Sequence, residues 1–246
     1  MSAAVQLYKE CKAAKILPVF GMIANVVPDM SAKRQGKESL TLIAMNRTGF
    51  FNLVKIATIG AMYFYYIPRV SFEVIAKHSE GIIALTGGLD GIVAKSFIRD
   101  GKNGIAKSSE MLRAAFGDRV FHEIQPVPVE SQKLYNENLM IYGDGNSLRM
   151  IATGTPLYVK REHAELHEML YKARSFKKGE SIYPLKGSYH VKSYEEMLDD
   201  FSNLHGFGVY EMDDFINPMK ASDDLLEDIE SFDLRDGVKV PLFQST

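Results

Sequence analysis

One cysteine, Cys11, stands in the 246 residues. That excludes internal disulfides and any cysteine-built zinc site, and it fits a reducing cytoplasm. Long apolar runs are missing too. The best candidate, around residues 56–70, is broken by Pro68 and Arg69, short of the roughly 18 residues that a membrane-spanning helix requires. Residues 1–15 carry Lys9, Glu10, Lys12 and Lys15 where a secretion signal would have its apolar centre. No segment has P-loop spacing, Gly143-Asp144-Gly145 lacks the third glycine of a dinucleotide fingerprint, and no Gly-x-Ser-x-Gly elbow occurs. The glycines of 86–91 and 143–145 therefore read as turns. These absences describe a soluble cytoplasmic protein with no membrane segment and no cofactor motif.

What is present is a globular composition. Hydrophobic residues make up 46% and charged residues 24%, which argues against disorder. A chain this long buries about 70–75% of its unfolded surface, enough for a substantial core. The net charge of −2 hides an asymmetry: residues 1–194 carry 26 Lys and Arg against 17 Asp and Glu, whereas 195–246 carry 3 against 14. A basic body with an acidic end suits nucleic-acid contact by the body and a basic partner for the tail, or a tail folded back on its own body.

Helical and strand patterns alternate. Residues 3–15, 48–61, 71–77, 91–99, 106–116, 131–142 and 161–173 have helical periodicity, with Asn46 and Thr48 as cap candidates for the second. Residues 17–27, 40–45, 81–85, 120–124 and 150–153 read as strands, the first as a buried one. Such alternation describes an α/β layered fold or a β/α barrel. Beyond about residue 178 the texture changes, giving a body of 1–178 and an acidic helical extension of 179–246. The extension opens a helix with a Ser-x-x-Glu capping box, Ser193 and Glu196, and continues in a second helical stretch over 213–232.

Catalytic constellations are weak. His163 and His167 share a helix face, but Ala164 stands where a zincin has glutamate, and a third ligand is not in view. His122 and Glu123 are neighbours on a strand and so point to opposite faces. Cys11, inside an amphipathic helix, reads as a core thiol. From the residues alone no catalytic group stands out, and a relocated site of His122, Glu123, His163 and His167 has no geometry to unite it.

The order of segments then becomes specific. Residues 8–12, 16–21, 40–46 and 49–53, then Phe64-Tyr65-Tyr66-Ile67-Pro68-Arg69-Val70, 80–87, Phe121-His122-Glu123-Ile124-Gln125, 161–167 and 194–197 together resemble the PHP domain of bacterial DNA polymerase III alpha subunits. The resemblance implies an incomplete, distorted (β/α)7 PHP-like barrel with the acidic helical extension. Active members of that family bind metal ions through nine His, Asp, Glu and Cys ligands and hydrolyse phosphoesters. On the resemblance, four ligands, with the first strand, first helix and second strand, would lie ahead of Met1. The others fall on Ile23, Ser39, Gly88, Thr155 and Leu157, and aliphatic side chains cannot ligate a cation. The polymerase palm would begin near Val240-Pro241-Leu242-Phe243.

The resemblance thus implies a non-enzyme with no metal and no cofactor. It implies a replication-associated interaction module that docks part of a polymerase, the proofreading exonuclease or a host factor. A stand-alone copy fits a phage or mobile element, as part of its replisome or as an inhibitor or hijacker of a host replication or defence protein. Barrel edges left open would pair with another chain, with a second copy, or be covered by residues 195–246. The alternative is a nucleic-acid-binding accessory, with Tyr65 and Tyr66 stacking on bases and Arg69 reaching phosphate. Tyr65, Tyr66 and Arg69 are the interface candidates, since aromatic residues and Arg dominate hot spots. Asp223, Asp224, Glu227 and Asp228 are those for a basic partner.

Overall fold

The computed structural model describes residues 3–174, 189–206, 211 and 213–234. The change of texture near residue 178 lies outside them. Five strands form one mixed sheet in the order β1 (Gly21–Val26), β2 (Glu38–Ala44), β3 (Ile82–Leu85), β4 (Val120–Ile124), β5 (Met150–Ala152). β3, β4 and β5 run parallel, whereas β1–β2 and β2–β3 are antiparallel pairs. Continuous β/α alternation would have made every pair parallel. Between β1 and β2, however, residues 27–37 contain no helix, and a direct return connection gives antiparallel neighbours.

Helices α1 (Ala4–Ala14), α2 (Arg47–Met62), α3 (Phe72–Lys77), α4 (Ile92–Asp100), α5 (Lys102–Phe116) and α6 (Glu130–Asn146) follow the predicted pattern. Asn46 caps α2 by accepting from the Gly49 N–H at 3.0 Å. That helix starts hard against β3: a Cβ at Gly49 would lie 1.8 Å from the Gly81 carbonyl oxygen, so only glycine allows the approach. Gly143–Gly145, expected as a turn, lie instead within the last turn of α6. There the helix simply runs on to Ser147, whose left-handed backbone ends it.

Residues 17–27 do not form a strand buried on both faces. β1 ends the sheet and alternates, with Ala24 and Val26 buried and Ile23 67% exposed. A strand with one covered face shows this period of two. On its outer side β1 meets a bridge at Val70, where the Val70 N–H donates to the Asn25 carbonyl and the Val27 N–H to the Val70 carbonyl, both at 3.0 Å.

One face of the sheet packs on the helices through Leu40, Leu42, Ala44, Ile82 and Ala84. The other gathers Ile83, Leu85, Phe121 and Ile151 around residues of the acidic end. That end folds onto the body. After α7 (Ala164–Arg174), helices α8 (Tyr194–His205) and α9 (Asp213–Glu227) follow; α8 carries the expected capping box of Ser193 and Glu196. The helix expected through 232 stops at Glu227, and a turn at Asp228 redirects the chain. α9 lies against β5. Its Phe215 and Met219 join the core on the helical side, while Leu225 and the following Ile229 join the second cluster on the opposite face. The Glu230 N–H donates to the Met45 carbonyl at 2.7 Å, and Phe232 lies against Phe20 and Phe50. Burial, more than charge, holds this end: Arg149–Asp228 at 3.7 Å and Lys12–Asp233 at 3.8 Å are solvent-screened pairs of small net effect.

Candidate functional site

The parallel strands β3, β4 and β5 end together, and in open α/β sheets ligands bind beyond such carboxyl ends. β2 is antiparallel to β3, so its beginning, Glu38 and Ser39, reaches the same end; the Ser39 N–H donates to the Asp90 carbonyl at 2.7 Å. Four of the five positions where the resemblance puts metal ligands collect here. Ile23 pairs with Thr41, and Ser39 with Asn25, in one antiparallel ladder. Ile23 and Ser39 therefore share a face. Gly88 follows β3 and Thr155 follows β5. Leu157 lies further along, exposed, its N–H donating to the Tyr189 carbonyl at 2.8 Å.

The centre of this end is a hydrogen-bonded network that sequence reading did not find. Glu123 is buried on β4; its carboxylate accepts from the Gly87 N–H and from Thr153 Oγ1 at 2.7 Å, and its own N–H donates to Thr86 Oγ1 at 2.9 Å. Burial pushes the Glu123 carboxyl above the usual carboxylate range, against the pull of the Thr153 and Gly87 hydrogen bonds. Two residues on, Gln125 donates Nε2 to Thr153 Oγ1 at 3.0 Å and accepts from Thr155 Oγ1 at 3.2 Å. Behind it Asn136 donates to the Gln125 carbonyl at 2.9 Å and accepts from Gln132 at 2.8 Å. The Tyr135 hydroxyl, wholly buried, has no hydrogen-bond partner among the described residues, and burial raises its pKa. The available signal was the period: Phe121, Glu123 and Gln125 share one face of a fully buried strand, so the acid and the amide had to be satisfied at its end.

These residues do not fit the metal centre of the family. Ile23 has no donor atom, and Gly88 has no side chain. A Cβ built at Gly88 would lie 2.1 Å from Gln125 Oε1, so the space beside that glycine belongs to the amide. Thr155 is turned into the same amide. Glu123, the one carboxylate of the network, is consumed by two donors. No group of three His, Cys, Asp or Glu suited to a metal occurs among the described residues.

The histidines are dispersed. His122 points away from Glu123, as strand alternation requires, with Nε2 2.9 Å from Ser109 Oγ of α5. His163 and His167 are both half-buried at the start of α7, where the His167 ring lies 5.6 Å from that of Tyr158. Cys11 is a free, partly exposed thiol of α1.

The interface candidates divide. Arg69 is buried, its guanidinium donating to the Tyr63, Met30 and Ala32 carbonyls and lying 5.3 Å from the Tyr65 ring. It orders a loop. Tyr66 is exposed and Tyr65 half-exposed beside it. Asp223, Asp224 and Glu227 are exposed on α9, while Asp228 faces Arg149, whose guanidinium sits 4.1 Å over the Phe121 ring.

Comparison with known proteins gives one consistent result. Residues 1–126 match the PHP domain model. The DNA polymerase III subunit alpha of Thermus aquaticus is 34% identical over 181 residues, covering 70% of this chain and 15% of that protein. The corresponding subunits of Deinococcus radiodurans and Borreliella burgdorferi are 31% and 30% identical, over 80% and 82% of this chain and 16% and 18% of theirs. The chain thus spans less than a fifth of the length of these relatives.

Proposed function

The chain belongs to the PHP domain family, related to DNA polymerase III alpha subunits with a replication-related role, and from that premise we propose that it is a non-catalytic docking module of a replication complex. The observation that supports this is chemical: at the strand ends, Ile23, Ser39, Gly88 and Thr155 stand where the resemblance would put ligands, and the room beside Gly88 is filled by Gln125. Metal-assisted phosphoester hydrolysis needs carboxylates and imidazoles that hold cations and activate water, and this set offers one carboxylate already satisfied. In this reading the sheet is part of the distorted barrel of the family, with α9 lying where the barrel would otherwise be open at β5. The retained core then serves recognition of a protein partner: a polymerase part, a proofreading exonuclease or a host factor.

The test has two arms. Affinity capture by the full chain from nuclease-treated bacterial lysate should recover one replication protein in stoichiometric amount. Its identity separates a subunit of a split polymerase from an inhibitor. In parallel, hydrolysis of bis(p-nitrophenyl) phosphate with Mn²⁺ or Zn²⁺ should stay at the buffer rate. Metal-dependent turnover that purifies with the protein would overturn the reading.

A further inference from the structure

A second surface, away from the strand ends, joins aromatic side chains to cations. Met62, the last residue of α2, and Phe64 and Tyr66 of the loop that follows stand 76%, 61% and 82% exposed, an apolar display that a folded chain rarely leaves contiguous without use. The loop is held in shape. The Tyr65 N–H donates to the Ile67 carbonyl at 3.1 Å, the rings of Tyr65 and Tyr66 meet edge-on at 4.6 Å, and the buried Arg69 grips the Tyr63 carbonyl at 3.2 Å. Tyr66 has φ of +61°, a conformation that disfavours residues with a Cβ and that glycine would adopt freely. A bulky ring kept at such a position, pointing to solvent, has a use outside folding.

Arg69 also ties this loop to another. Its remaining donors reach the Met30 carbonyl at 3.2 Å and the Ala32 carbonyl, which ties the start of the 30–37 segment to the aromatic loop. That segment exposes Lys33, Arg34 and Lys37. The neighbouring acid, Asp29, is turned onto Ser31, accepting from its N–H at 2.8 Å and its hydroxyl at 2.7 Å. Beyond Lys37 the surface continues into a cleft of about 690 Å³ of mixed charge, where Lys37 and Lys107 stand with Glu38 and Glu73 around an apolar floor that includes Phe72 and Met111, so the phosphate contacts are placed on the loop and not in the cleft.

We propose that the loop of 62–66 and the basic loop of 33–37 form a binding surface for single-stranded DNA, with bases stacked on Phe64 and Tyr66 and phosphates on Lys33, Arg34 and Lys37. Exposed rings beside exposed cations are the arrangement by which proteins hold unpaired strands without sequence preference; Lys37, which donates to Asn25 Oδ1 at 2.9 Å, can turn a further donor to phosphate. A duplex hides its base faces and gains only from the cations. The surface is distinct from the strand ends, and it adds a ligand to the protein partner proposed above. Arg69 acts as a positioning residue: its guanidinium is occupied by carbonyls, so phosphate contact falls to the neighbouring loop.

The experiment is fluorescence anisotropy of the full chain with a labelled oligo-dT of about twelve nucleotides, near the span of one such surface, and with a duplex of equal length. Three phosphate contacts on a single strand predict a log–log salt slope of about −2, hence a loss of roughly twentyfold in affinity between about 50 and 200 mM salt. Tyr66→Gly should weaken oligo-dT binding about tenfold while the thermal midpoint stays or rises, because glycine relieves the backbone there. The double variant Lys33→Glu, Arg34→Glu should weaken it at least as much and flatten the slope. Tyr66→Gly binding like the native chain, or duplex bound as well as oligo-dT, would overturn the proposal, as would no binding at low salt. If Tyr66→Gly abolishes protein capture from nuclease-treated lysate while oligo-dT is never bound, the surface belongs to a protein and the proposal fails alone. If the native chain captures no replication protein while oligo-dT binding is intact, the docking module fails and this surface stands.

Discussion

His122 makes the stability of the fold depend on pH in a calculable way. Its ring is buried against α5, with Nε2 on Ser109 Oγ and Nδ1 without a hydrogen-bond partner among the described residues. Burial, aided by the nearby Arg113 charge, pulls its pKa down to about 4, whereas an unfolded histidine titrates near 6.5. The unfolded chain therefore binds a proton from about pH 6.5 downward and the folded chain only near pH 4. The contribution of neutral His122 is complete above pH 6.5 and is lost as pH falls toward 4. At about 1.4 kcal/mol per unit the full loss is about 3 kcal/mol, and by pH 5 it is already about 2 kcal/mol. Urea unfolding at pH 7.5 and pH 5, on the native chain and on His122→Gln, measures it. The glutamine keeps a polar partner for Ser109 and cannot titrate. The native protein should lose about 2 kcal/mol more than the variant between the two pH values. Glu123, whose raised carboxyl pKa works in the opposite sense over this range, is common to both proteins and cancels in the comparison. Equal losses in the two proteins would refute the assignment of the shift to this ring.

Two further substitutions probe how the acidic end and the strand ends are built. Leu225→Ala removes a buried side chain that joins α9 to Ile83, Phe121 and Ile151, and should cost about 2–3 kcal/mol in denaturant unfolding. Hydrogen exchange should quicken in β5; a cost below about 1 kcal/mol, with β5 still protected, would mean that α9 does not hold that edge. Gly88→Cys, which restores a ligand-type residue, should lower the thermal midpoint because its Cβ meets Gln125 Oε1. Adding Gln125→Ala should recover part of the loss, and full stability of the single variant would show the amide to be easily displaced.

The sequence by itself determined the elements. Capping chemistry at Asn46 and at Ser193–Glu196, apolar periodicity in the helices, and the strand segments of 81–85 and 120–124 are local signals, and each lies where the sequence places it. The ordered segments also carried the family, since Phe64-Tyr65-Tyr66-Ile67-Pro68-Arg69 is specific in a way that composition is not. The strand of 17–27 was misread as buried on both faces because apolar content reports burial but not whether a strand has one neighbour or two. Only the tertiary structure decided what long-range pairing decides. It turned β1 and β2 antiparallel, laid α9 against β5, and brought Thr153 and the Gly87 N–H to a glutamate whose neighbour in sequence, His122, faces the other way. It also gave Arg69 to the backbone carbonyls of two loops, leaving Phe64 and Tyr66 exposed near it. Most of these depend on residues far apart in the chain, and no local pattern records which of them will meet.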